Sequence, residues 1–237
     1  MDIKESDILG DAIDHHWYYA SKAKALTRLL QNSPVAVVMD VGAGSGFFSR
    51  YLLEHAGAEE AYCIDPAYPS DSHASLHGKT MHFLRHPAGQ RADLILMMDV
   101  LEHVEDDGDF LRAYVARAEA GTRFLITVPA FQFLWSGHDV FLEHRRRYSL
   151  RQLIALVDSS GLRVRNSCYY FGLIFPLAAM LRLGQRLLAR GLVPRSQLTR
   201  HSATLNAILA GLCGLELRYM HRNRWAGLSI FCLAEKC

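Results

Sequence analysis

Residues 38–46 read VMDVGAGSG. An apolar run ends in an acid, Asp40, and three glycines follow two apart, Gly42, Gly44 and Gly46. A buried strand that runs into a glycine turn and then a helix aims backbone N–H groups at whatever lies there. A dinucleotide fingerprint is spaced G-x-G-x-x-G, which would put glycine at position 47, and Phe47 stands there instead. Asp40 would repel a pyrophosphate, but it can accept from a cationic amine or an ordered water. The spacing favours a zwitterion attached to an adenosine over NAD.

Outward from this loop the chain alternates. Apolar runs at 35–41, 61–64, 81–84, 93–99 and 123–128 read as buried strands, with helical patterns at 45–56 and 108–119 between them. That order predicts a parallel sheet covered on both faces. Runs at 162–171 and 227–234 finish the sheet. Ser149 with Gln152 forms a capping box opening a helix over 150–159, and Gly161 stops it. Asp65 closes the second strand, 19 residues after Gly46, where an acid can take both hydroxyls of a ribose. Asp99 closes the fourth, with Glu102 and His103 just beyond.

These motifs, VMDVGAGSG, CIDP and DLILMMDVLEHVED, resemble those of class I S-adenosylmethionine-dependent methyltransferases over about residues 35–160, plus the closing GLSIFCLAEK. The resemblance implies a Rossmann-like α/β fold, a mostly parallel seven-stranded sheet with an antiparallel last strand. It implies that Asp40, Gly42, Gly44 and Gly46 surround the methionine part of S-adenosyl-L-methionine, that Asp65 holds the ribose, and that Asp99 lies near the cofactor's amino end. Pro66 departs from the pattern by removing one N–H beside the ribose acid, and the segment LRHPAG leaves the adenine contact unassigned. HHWYYASKAKALTRLL and VPAFQFLWSGHDVFLEHRRRY resemble a bacterial subgroup associated with glycan, lipid-linked or secondary-metabolite pathways.

The expected organisation is a helical lid over 1–34, a cofactor-binding core over 35–171, a helical insertion over 172–222 and a closing strand over 223–237. The insertion contains a 13-residue run, Tyr169–Leu181, too short to span a bilayer, and a second apolar stretch at 203–217; both read as amphipathic helices. Charge is lopsided. Residues 1–144 hold 11 Lys and Arg against 21 acids, whereas 145–224 hold 14 Arg, no Lys and two acids. Arg182, Arg186 and Arg190 share one helical face. This combination points to an anionic partner or membrane surface, or to a solvated face. A strongly apolar, lysine-free region argues against nucleic acid.

Five scattered cysteines without a CxxC pair read as reduced thiols of a cytoplasmic protein, on the inner face of a membrane if peripheral. The polar N-terminus is not a signal peptide. Methyl transfer to oxygen or nitrogen often needs a base, so His103, His138 and His144 are the catalytic candidates. No metal is expected, since His138, Asp139 and His144 fix no geometry. The expected reaction is methyl transfer to an oxygen, nitrogen or carbon of a small or lipid-like, anionic acceptor in a biosynthetic pathway; Trp135, Arg145, Arg146, Tyr148 and Tyr18 are candidates for holding it, though each has an ordinary packing or solvated reading as well. Competing functions are a nicotinamide-dependent oxidoreductase, which the loop spacing opposes, and a non-catalytic membrane-surface module that kept the fold. A homodimer contact is another use for 172–222.

Overall fold

The computed structural model describes residues 8–31, 34–188, 196 and 202–237. The strands are β1 Val37–Val41, β2 Glu60–Ile64, β3 Ser72–Leu76, β4 Lys79–Leu84, β5 Leu94–Met98, β6 Arg123–Pro129, β7 Leu162–Tyr170 and β8 Ser229–Lys236. They form one sheet in the order β3-β4-β2-β1-β5-β6-β8-β7. β4, β2, β1, β5 and β6 pair in parallel, while β8 runs antiparallel to both β6 and β7. The Rossmann-like architecture and the antiparallel last strand are as the sequence implied.

The sheet has eight strands rather than seven. The extra one, β3, forms a hairpin with β4 across His77 and Gly78, both at positive φ, as a two-residue turn of the mirror-image type requires. β3 is an edge strand exposed along most of its length, so it carries no apolar alternation to be read.

Period-two alternation divides the core. Leu94, Leu96 and Met98 of β5 face one cluster; Ile95 and Met97 face the other. Helix α1 (Trp17–Leu29) and helix α2 (Phe47–His55) cover the first face, burying Ala23, Leu26, Phe48 and Leu52. Helix α3 (Asp107–Arg117) and helix α5 (Leu150–Ser159) cover the second with Leu111, Val115, Leu153 and Val157. A short helix α4 (Gly137–Phe141) lies between β6 and α5. The Ser149–Gln152 capping box forms as expected, and Gly161 adopts φ 87°.

Two helices, α6 (Phe175–Leu188) and α7 (Ala203–Leu217), occupy the connection before β8. α7 packs along α1, fastened where Trp17 N–H donates to Asn206 Oδ1 (2.8 Å) and Asn206 Nδ2 donates to the His15 carbonyl (2.8 Å). Arg182 does not join an outward cationic face: it is half-buried and donates to the Leu134 carbonyl at 3.2 Å. Burial is the largest influence on it and lowers its pKa to about 10, with Arg147 adding to the effect. Arg190 and the side chain of Arg186 lie outside the described residues. What the insertion shows outward is apolar: Leu177, Met180 and Leu181 of α6, and Leu205, Ile208 and Leu215 of α7.

The start of β8 passes so close to β7 that a Cβ at Gly227 would collide with the Tyr170 carbonyl. Leu228 N–H bonds that same carbonyl at 2.9 Å, so the backbone there has no slack. Overpacking against backbone costs about 1–3 kcal/mol. Gly227→Ala should lower unfolding stability by that amount in a urea titration, and an unchanged midpoint would show that the crossing has room for a methyl group.

Candidate active site

The glycine loop lies at the carboxyl edge of the sheet. Gly42, Gly44 and Gly46 have φ of 67°, 55° and 70°, a conformation that side chains resist. Space restricts two of them as well. A Cβ on Gly42 would come within 2.8 Å of Val100 Cγ2, and one on Gly46 within 3.1–3.3 Å of Phe83, Met81 and Cys63. Much of the loop's own backbone is engaged inside the chain. Gly42 and Ala43 donate to the Ile64 carbonyl (2.8 and 3.3 Å), Gly46 donates to the Ala43 carbonyl (3.0 Å), and Gly44 donates to Asp65 Oδ2 (3.0 Å). The sequence reading aimed such N–H groups at a ligand; these four are spent on holding the turn.

Asp65 is buried and also accepts from Ala67 N–H at 3.0 Å, which offsets the N–H lost at Pro66. Tyr68 closes the loop by donating its hydroxyl to the Gly44 carbonyl (2.7 Å). Asp40, at the end of β1, is 1% exposed and accepts from Ser49 Oγ on the first turn of α2 (2.9 Å). Burial pushes its pKa up to about 6, and the nearby Asp65 charge adds to the rise against the Ser49 hydrogen bond. Ser45 Oγ in the loop is buried without a partner. Narrow loop, strand-end acids and an unspent hydroxyl fit an adenosine-linked zwitterion.

Asp99 follows β5 and therefore stands beside Gly42, because Met97 pairs with Val41 in the parallel ladder. It has φ 56°, held by Thr127: Asp99 N–H donates to Thr127 Oγ1 (3.1 Å), and that hydroxyl lies 3.0 Å from Asp99 Oδ1. Lys22 of α1 forms an ion pair with Asp99 while fully buried itself. Burial opposes the ammonium, but Asp99 outweighs it and leaves the Lys22 pKa raised; reciprocally, Lys22 overcomes burial to hold Asp99 below the usual carboxylate range. Tyr18 lies with its ring 5.0 Å under the Lys22 ammonium and stacks on Phe171 (5.2 Å). Lys22 was not among the sequence candidates.

Next along the same loop is Glu102, fully buried, with neither carboxylate oxygen hydrogen-bonded. Burial, then the Asp99 charge, pushes its pKa well above the ordinary carboxyl range. His103 and His144 meet edge to face, 4.8 Å between centroids. Burial, with His144 adding, lowers the His103 pKa to about 4. His144 Nδ1 lies 3.0 Å from Asp139 Oδ1. Asp139 is a fully buried hub that also accepts from Ser136 N–H (2.8 Å), Ser136 Oγ (3.1 Å) and Arg147 Nε (2.6 Å). Burial works against its ionisation, but His144 and Arg147 hold the carboxyl well below its ordinary range. Glu102, His103 and His144 each offer a ligand atom, all within 4.8 Å of one another, which is a two-imidazole, one-carboxyl donor set suited to a transition metal. His138 lies on α4; burial, then Arg182, lowers its pKa to about 3, with His144 and Arg147 adding to the effect.

The arginine run does structural work. Arg145 N–H donates to the Glu102 carbonyl (2.7 Å) and its Nε to the His103 carbonyl (3.0 Å). Arg146 donates to the carbonyls of Val104 and Glu105 and pairs with Asp107 at 3.1 Å. Tyr148, 5% exposed, donates to Asp107 Oδ2 (2.6 Å), with the Leu101 carbonyl 3.1 Å away. These three residues pin the loop bearing Glu102 and His103. Trp135 is half-buried, and close by in sequence the Phe131 ring packs against those of Phe133 and Phe175. A cavity of about 790 Å³ opens at the other end of the strands, between the ends of α1, α2 and α7, and none of the residues above lines it.

Comparison with known proteins agrees with this arrangement. Residues 14–167, more than half of the chain, match the model of the family described as "Methyltransferase domain". The ubiquinone biosynthesis O-methyltransferase of Pseudoalteromonas translucida is 24% identical over 151 residues, which are 54% of this chain and 64% of that protein, so the match spans less than two thirds of the relative. The methyltransferase solved in complex with the Haloferax volcanii Trm112 methyltransferase activator superposes with TM-score 0.58 at 16% identity, over 98% of this chain and 93% of that one. A SAM-dependent methyltransferase from Archaeoglobus fulgidus superposes with TM-score 0.51 at 12% identity, over 98% and 97%. With the loop, the strand-end acids and the sheet order in place, the chain belongs to the class I S-adenosylmethionine-dependent methyltransferases.

Proposed function

We propose that the protein methylates an oxygen or nitrogen of a lipid-like acceptor, with His144 as the base that takes the acceptor's proton. The observation that carries this reading is the buried Asp139–His144 pair, set against His103 and Glu102 on the edge that also bears the glycine loop. A carboxylate on Nδ1 fixes the tautomer so that Nε2 is the basic atom. The cofactor supplies an electrophilic methyl group when bound. The chain's own residues bring the acceptor into line, exclude water and receive the proton. The ubiquinone-pathway relative acts as an O-methyltransferase by name, which supports the choice of oxygen. Family membership sets aside the nicotinamide alternative, as does Phe47 in the loop.

The lipid-like class of acceptor draws support from the insertion. No described helix is long and apolar enough to cross a membrane. Yet α6 and α7 expose Leu177, Met180, Ile208 and Leu215, and Trp225 beside Arg222 and Arg224 is 88% exposed. Exposed apolar helices, together with an exposed tryptophan flanked in sequence by arginines, suit the interfacial layer of an anionic membrane.

Three measurements bear on this function. Asp65→Ala should weaken S-adenosylhomocysteine binding in calorimetry by about 1.5–3 kcal/mol, the range for hydrogen bonds to a charged group; unchanged affinity would remove Asp65 from the cofactor site. When the protein is incubated with methyl-labelled S-adenosylmethionine and an extract of its own cells, label should enter the fraction soluble in organic solvent. His144→Ala should cut that labelling by about 10²–10⁴ while cofactor affinity stays the same. Label in protein or nucleic acid instead would overturn the acceptor class, and full labelling by the variant would overturn the base. Co-sedimentation with vesicles should require anionic lipid and drop when Ile208 and Leu215 both become Glu. Without vesicle binding, self-association in ultracentrifugation would identify the same face as a homodimer contact.

A further inference from the structure

Three helices end at the cavity on the far side of the sheet from the glycine loop. Arg28 stands in the last turn of α1, His55 in the last turn of α2, and Arg218 caps α7. All three line the cavity, together with Lys24, one turn before Arg28 on α1. No carboxylate is among the lining residues.

A cation at a helix C-terminus has an ordinary use, because the unpaired carbonyls there carry about half a negative elementary charge. That use does not account for this set. Three helix ends supply about one and a half negative charges, against the permanent cations Lys24, Arg28 and Arg218 and the His55 imidazole. Lys24 lies before the last turn of α1 and gains nothing from the helix end. It also stands four residues from Arg28, a like-charge spacing that weakens a helix, and α1 has no acidic residue to offset it. Among the described residues Lys24, Arg28 and Arg218 form no ion pair: Arg28 Nη1 donates to the neutral Gln31 Oε1 (2.6 Å), and the other two side chains have no partner. His55 donates from Nδ1 to the Tyr51 carbonyl (3.2 Å), with Glu54 at 3.8 Å. The cavity therefore carries an excess of positive charge that the chain does not neutralise.

We propose that this cavity is a second ligand site, which takes the phosphate of a phosphorylated organic molecule between Lys24, Arg28 and Arg218. A phosphate offers several acceptor oxygens and up to two negative charges, which suits two guanidinium forks and an ammonium. The volume of about 790 Å³ is that of a small-molecule pocket and exceeds what a bare phosphate fills. Leu30, Val35 and Leu217 line the remainder, so the organic part of the ligand has apolar surface to cover. Arg218 lies three positions beyond Leu215, at the end of the stripe that Ile208, Leu212 and Leu215 expose along α7. A hydrocarbon chain leaving the cavity would find that stripe beside it. The phosphate belongs either to a lipid head group or to a free metabolite, and the same residues would hold it in both cases. The site is separate from the acceptor and base readings above and does not depend on them.

Calorimetry at low salt with two soluble probes tests it. Dihexanoyl phosphatidic acid, kept below its aggregation concentration, carries a phosphate and short chains; glycerol 3-phosphate carries the phosphate alone. At least one of them should bind. Much tighter binding of the first identifies a lipid head group as the source, and equal binding identifies a free phosphate ester. The double variant Lys24→Gln, Arg218→Gln should weaken that binding by roughly tenfold or more, the loss expected when bonds to a charged group are removed. A control that removes the same charge elsewhere, Arg151→Gln with Arg163→Gln, should bind as the wild type does. All four positions are exposed, so both variants should keep the wild-type urea midpoint. No binding of either probe, wild-type affinity in the Lys24, Arg218 variant, or an equal loss in the control would each overturn the site. Because both probes are soluble, none of these outcomes depends on whether α6 and α7 meet a membrane.

Discussion

A buried ammonium on a carboxylate, Lys22 on Asp99, ties the N-terminal helix to the carboxyl edge of the sheet. Much else hangs on that contact. α1 is placed over the first face with Ala23 and Leu26 in the core, and α7 in turn lies along α1. Burying a lysine is costly, and leaving either partner without the other costs about 3–5 kcal/mol. A salt bridge is a poor way to gain stability compared with an apolar pair of the same volume. Of the two partners only Asp99 keeps open surface, so the carboxylate faces the glycine-loop edge while the ammonium is sealed behind it.

What the sequence disclosed followed from backbone demands. Three glycines at positive φ leave a spacing that can be read, and strand-end acids sit at fixed distances from it. The capping box at Ser149 is a local signal and formed as read. Edge strand β3 was hidden because polar exposed residues carry no periodicity. Lys22 was hidden for another reason. In the run ASKAK it looks like an ordinary solvated charge, and the aromatic cluster before it drew the reading toward Trp17 and Tyr18. The signal was there in the helical spacing: Tyr19, Lys22, Ala23 and Leu26 recur on one face, so a lysine stands inside an apolar stripe. Asp139 was weighed only as a metal ligand, whereas its bonds to Ser136, His144 and Arg147 make it an anchor.

Arg145, Arg146 and Arg147 show that a charge run can also serve the chain itself. Three consecutive arginines ahead of a tyrosine suggest either solvent or an anion. Each also finds chain carbonyls or a carboxylate, and together with Tyr148 they bridge the segment after β6 to the loop after β5. A planar guanidinium with several donors is suited to gathering carbonyls that a loop cannot satisfy by itself.

That bridge joins two loops. The loop after β5 carries Asp99, which meets Lys22, and Glu102 and His103, which lie against His144, within five residues. The segment after β6 carries Asp139 and His144. Arg145 donates from both backbone and side chain into the first loop, so His144 is held next to His103 by the residue that follows it. A base and a methyl donor must be aligned to within a fraction of an ångström for in-line transfer. With His144 in the proposed role, that alignment would rest on Arg145 bonding to the backbone carbonyls of Glu102 and His103. Glu102 fits the same logic: its side chain is sealed, burial favours its neutral form, and its backbone carbonyl accepts from Arg145 N–H.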